Sequence, residues 1–130
     1  MAPDAIGRFL ATAFFAIVFL QSALDKLTDR QGNLAYFSEH FKSSPFPPQA
    51  VGLLLGALTF IEATAGALCA VGLLLGDFRT KGFGVAACGI MASGVALLCL
   101  LLGQRLAKDY AGAAVVAAYF AVALIGIGLF

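Results

Sequence analysis

Charge is what this sequence has least of. Only 12% of its 130 residues are Asp, Glu, Lys or Arg, against about 25% in soluble domains. Hydrophobic residues make up 62% and the mean hydropathy is +0.98, where soluble chains hold roughly 45–50% apolar residues. A water-soluble fold of this composition would expose apolar surface that it lacks the polar groups to cover. The solvent read from these figures is lipid. A net charge of +1 leaves no basic footprint, so nucleic acid is excluded as a partner. Tryptophan is absent, which leaves any aromatic belt at the membrane surface to the 3 Tyr and 12 Phe.

Residues that carry chemistry are scarce as well. The 3 cysteines, Cys69, Cys88 and Cys99, stand apart in apolar runs. None forms a CxxC pair, which weighs against thiol–disulfide exchange, and the expected role is small apolar packing. His40 is the 1 histidine. No other ligands are spaced around it for a metal, and an exposed interfacial position is expected. A phosphate-binding glycine loop, a Ser/His/Asp arrangement and a CxxCH haem attachment are all missing. The sequence therefore assigns no catalytic residue and no metal.

What is present is four long apolar segments, at about residues 6–27, 50–76, 82–103 and 110–130. Each reaches the roughly 20 residues that cross ~30 Å of hydrocarbon as a helix. Open sheet edges are not tolerated in lipid, and the segments lack the alternation of a barrel strand. The run from Ile6 to Leu24 exceeds the ~7–15-residue core of a signal peptide and leads to no small-residue cleavage site. It is read as a retained first helix. The predicted fold is all-α: an integral membrane four-helix bundle forming one domain over residues 1–130.

The connections add detail. Gly76–Lys81 and Gln104–Asp109 are tight turns that make the spans they join antiparallel. The first connection, Thr28 to Gln49, is long, and within it Leu34, Phe37 and Phe41 recur at helical spacing while Glu39 and Lys42 fall elsewhere on the wheel. That pattern predicts a short amphipathic helix in the interface after the first span. The Ser43–Pro48 stretch ends it, because proline disfavours helix in the residue before it. Four spans put both termini on one side, with Arg8, Arg79 and Lys81. Lys26, Arg30, Lys42, Arg105 and Lys108 lie opposite, and that excess favours a cytoplasmic first loop. Small residues pair at helical spacing: Gly52 with Gly56, Gly72 with Gly76, Gly89 with Ser93, and Ala113, Ala117 and Ala121. Such pairs let helix backbones approach closely in lipid.

Glu62 stands out. It lies at the middle of the second span, where a charged carboxylate costs at least ~2.5–3.5 kcal/mol. It should face the bundle interior and needs either a proton or a nearby cation. A proton relay, a polar contact to a ligand, and an interhelical hydrogen bond to Thr12, Ser22, Thr59 or Thr64 are the roles open to it. Gln21, Ser22, Asp25 and Lys26 occupy the last turns of the first helix. Ser22 shares a face with Lys26 and Gln21 with Asp25, whereas Asp25 and Lys26 point about 100° apart. Glu62 and these four are the candidate intramembrane proton or ligand site. Gln104, Arg105, Lys108, Asp109 and Tyr110 should emerge on the same side. An interfacial charge network is expected there, pairing Asp25 with Arg105 or Lys108 and Asp109 with Lys26.

The segment Phe19–Leu27, with Ser22-Ala23 before Asp25-Lys26, resembles the signature of the DoxX family of small four-helix membrane proteins. Glu62 followed by Gly66 is similar to that family's acid-bearing span, and Gly103–Tyr110 resembles a turn recurrent among its members. The resemblance covers most of the chain. Ala23 departs from it, since many members carry glycine there. It implies a membrane subunit associated with a quinone-linked or other redox complex, as anchor or accessory, and supplies no catalytic residue. On this reading the chain binds no cofactor alone. Quinone or lipid is the expected ligand, and any flavin, haem or metal comes from a partner. The expected surroundings are the lipid bilayer of a bacterial inner membrane, with other subunits of a membrane complex or further copies of the chain. A small oligomeric transporter or channel with a protonatable Glu62, and a purely structural assembly factor, are the rival readings.

Overall fold

The computed structural model describes residues 2–130. Five helices follow one another: α1 (Pro3–Thr28), α2 (Arg30–His40), α3 (Val51–Leu75), α4 (Val85–Leu106) and α5 (Tyr110–Gly128). Among the described residues there is no strand. The helices α1, α3, α4 and α5 are long and apolar enough to cross a membrane, α3 together with the 3₁₀ turn Pro48–Ala50 that leads into it. The all-α bundle expected from the sequence is the observed architecture.

Local chemistry sets most of the boundaries. Pro3 sits in the first turn of α1, where its missing N–H has no intrahelical partner to lose. Asp29 ends α1 and caps α2, its side chain accepting the Gly32 N–H at 3.3 Å. Gly76 closes α3 in the left-handed region at φ 74°, the conformation a C-terminal glycine supplies. The start of α4 depends on a longer reach. The Asp77 carboxylate accepts from Val85 N and, at 3.2 Å, from Ala86 N. That cap carries a negative charge to the positive end of the helix dipole.

Close approaches of small residues place the helices side by side. A Cβ added at Gly72 would lie 2.7 Å from Ala86 Cα, and one at Gly89 2.7 Å from Cys69 N, so α3 and α4 run antiparallel almost backbone to backbone. Gly66 brings α3 equally near Leu20 of α1, and Gly126 brings α5 to Ala11. Phe15, Phe19, Ala65, Cys69, Ile90, Ala96 and Leu97 fill the core between them. Not every small-residue pair serves this end. Gly56 has nothing within 4 Å of its added Cβ, and Ala117 and Ala121 are exposed.

Both termini lie at one end of the bundle, and the buried Arg8 ties that end together. Its guanidinium donates to the carbonyls of Phe78, Arg79 (3.0 Å) and Leu129 (3.1 Å) and to Asp4 Oδ2 (3.2 Å). The planar fork of arginine reaches all of these at once, which a lysine cannot do. The opposite end holds α2, the Phe41–Ala50 connection and the turn between α4 and α5.

Candidate functional site

The second end of the bundle gathers the polar groups. Lys26 sits in the last turn of α1, yet its side chain is only 10% exposed. Helix side chains lean toward the N-terminus of their own helix. In antiparallel α1 and α3 this aims Lys26 inward from the end of its helix and Glu62 outward from the middle of its own. They meet: Nζ lies 3.1 Å from Oε1 and 3.4 Å from Oε2. The ammonium sits nearer Oε1 but directs its hydrogen bonds to Oε2 and to Ser22 Oγ, at 2.7 Å. Oε1, on a side chain 1% exposed, accepts no hydrogen bond.

A charge-paired site of this kind depends on both partners. Each buried ion costs several kcal/mol in lost hydration, which only its close partner offsets. The Phe37 ring of α2, 6.0 Å from Nζ, covers the pair. The sequence foresaw a cation or a proton on Glu62, and the structure supplies the cation.

Phe37 also lines a cavity of about 220 Å³ between α2, α3 and α4. Its walls include Phe37, Phe41 and Phe46, with Leu54, Leu58 and Ile61 from α3 and Leu100 and Gly103 from α4. The aromatic rings brace one another: Phe37 stacks on Phe41 at 6.0 Å and Phe46 meets Phe41 edge-on at 5.7 Å. Tyr36, Leu54 and Cys99 are exposed and mark its open side. The polar corner is His40, whose Nε2 lies 2.8 Å from Gln104 Oε1 and 3.8 Å from Asp109 Oδ2.

Several expectations change here. The interfacial charge network does not form as expected. Asp25 is exposed with no ion-pair partner among the described residues, and Lys26 joins Glu62 instead of Asp109. Asp109 caps α5 through Gly112 N at 2.9 Å, Arg105 stacks over Tyr110 at 4.7 Å, and Lys108 is exposed in a left-handed turn at φ 62°. The physical reason is local engagement: the Asp109 carboxylate is held by the first turn of its own helix and the Arg105 guanidinium by the Tyr110 ring across the turn, while Lys26 is drawn to the buried Glu62. Gln21 likewise leaves the candidate site, because it faces outward with Asp25. His40 is not the exposed interfacial residue expected. Its side chain is 14% exposed, since His40 joins Asn33 and Phe37 on the inner face of α2, with Phe41 just past its end, while Leu34 is left exposed. The signal was available in principle, as a lone histidine inside the aromatic run Tyr36–Phe41. The cysteines are free, Cys69 being buried beside Ser93 at 3.8 Å.

No group of His, Cys, Asp and Glu among the described residues is arranged to hold a metal ion. Compared with known proteins, the chain finds no matching family model, no matching curated protein and no matching solved structure.

Proposed function

We propose that this chain is a membrane subunit that receives the head ring of a quinone-class lipid between α2, α3 and α4, in the service of a membrane redox complex. The observation that carries this reading is the cavity itself: aromatic walls, one hydrogen-bonding corner and an open side among exposed apolar residues. Sites for drug-sized ligands run to about 300–1,000 Å³. At about 220 Å³ this one suits a single substituted ring whose tail stays in lipid. With the imidazole proton on Nε2, Gln104 Oε1 accepts it and the Gln104 amide keeps its N–H groups to donate to a ring carbonyl. The DoxX-like pattern around Ser22–Lys26, Glu62 and Gly103–Tyr110 points to the same class of partner. Quinone reduction consumes two electrons and two protons; the electrons come from a partner subunit. This chain binds and orients the ring.

The test is a titration of purified protein in lipid nanodiscs with a short-tailed quinone, followed by quenching of tyrosine fluorescence, since the chain has no tryptophan. Saturable quenching is expected, weakened roughly 2- to 10-fold in His40→Ala/Gln104→Ala, as one lost hydrogen bond of about 0.5–1.5 kcal/mol implies. Quenching that never saturates, or that is indifferent to the double change, sinks the reading.

A second reading has its own observation. The Lys26–Glu62 pair, with an unsatisfied Oε1 inside a membrane span, is also what a proton-coupled transporter needs. Proton uptake by protein-loaded liposomes that Glu62→Gln abolishes, without saturable quinone binding, would favour it.

A further inference from the structure

We infer that the chain forms a two-fold dimer through the outer face of α1, with Gln21 of each copy bonded to Gln21 of the other. The face is defined by exposure. Ile17 is 70% and Leu24 60% exposed, and Gln21, Asp25 and Thr28 continue the same stripe at helical spacing. Its apolar members suit lipid; Gln21 and Asp25 do not. Thr28 returns its hydroxyl to Leu24 O at 2.7 Å, as Thr64 does to Phe60 O at 2.8 Å. Among the described residues, neither Gln21 nor Asp25 has a side-chain partner of this kind.

Depth makes that absence costly. Leu20, next to Gln21, packs its backbone against Gly66, well inside α3. Gln21 therefore lies within the hydrocarbon, where an unpaired amide costs several kcal/mol. The occupant that the chemistry favours is a second copy. A carboxamide is both donor and acceptor, so two glutamines related by a two-fold axis along the membrane normal satisfy each other. The charges are complementary in the same sense. Asp25 and Arg30 are both exposed and without an ion-pair partner among the described residues, Arg30 opening α2 just past the end of α1, so the interface pairs Asp25 of one copy with Arg30 of the other, and the converse. Leu24 and Ile17 supply the apolar seam. The face lies away from the cavity, so this inference does not rest on the function proposed above.

The experiment uses the full chain with its cysteines replaced by alanine, reconstituted in lipid vesicles. Oxidative cross-linking is expected in Gln21→Cys and Leu24→Cys, and not in Leu53→Cys or Val95→Cys, which are also exposed, on α3 and α4. In the otherwise native chain, Gln21→Leu should weaken dimerisation roughly 3- to 20-fold, the range of interhelical hydrogen bonds measured in bilayers, read by energy transfer between labelled copies on lipid dilution. Cross-linking of equal efficiency at all four positions, a monomer at every dilution, or a dimer indifferent to Gln21→Leu would overturn the inference. So would capture of a different protein at Gln21→Cys from native membranes in place of a second copy.

Discussion

At the scale of single residues, the Lys26–Glu62 pair decides more than any other contact. With Glu62 1% exposed and Lys26 10%, removing either partner leaves a charge stranded in an apolar interior. Lys26→Ala or Glu62→Ala should each lower stability by about 3–5 kcal/mol. Replacing both, as Lys26→Met with Glu62→Leu, should recover most of that loss, since a buried pair often contributes little net stability over well-packed apolar groups. Thermal unfolding in mild detergent checks both. Single variants as stable as the native chain would show that the pair is not buried as described. The double variant also separates structure from function: a folded protein that no longer binds ligand would assign the charges a role beyond cohesion.

At the scale of elements, the glycines distinguish helix faces that look alike in sequence. Gly72 meets the Ala86 backbone, so a Cβ there has nowhere to go. Gly72→Ala should cost about 1–3 kcal/mol, the usual penalty of overpacking. Gly56 faces open space, and Gly56→Ala should be neutral or stabilising by about 0.5–1 kcal/mol, through helix propensity alone. Comparative unfolding of the two variants tests this, and equal losses would refute the assigned α3–α4 register. The helix α2 makes a related point. Its aromatic spacing was legible, but the face it turns inward depends on the break at Asp29, whose backbone angles of φ −126° and ψ 58° no local pattern specifies. That rotation is what puts His40 in the cavity wall.

At the scale of the whole molecule, burial changes the count of charges that orient the bundle. Arg8 and Lys26 are internal, which leaves Arg79 and Lys81 exposed at the terminal end and Arg30, Lys42, Arg105 and Lys108 at the other. The excess of exposed cations at the α2 end should place that end in the cytoplasm. In a background with the cysteines replaced, Thr80→Cys should react with an impermeant thiol reagent on intact cells, and Ser43→Cys only after permeabilisation. The reverse pattern would invert the orientation.

The sequence by itself determined the solvent, the four spans and the acid that needs a partner. These follow from apolar length, scarcity of charge and the cost of ionising a carboxyl in hydrocarbon, all local properties of the chain. It also marked Lys26 and Ser22 as sharing a face. Only the tertiary structure decided that Lys26 turns inward to Glu62 and that His40 lines a cavity with Gln104. It also put Gln21 and Asp25 outside. Those outcomes depend on the axial offset and rotation of packed helices, set by Leu20 against Gly66 and by the break at Asp29. A one-residue change in either would turn different side chains to the interior while leaving the apolar pattern intact.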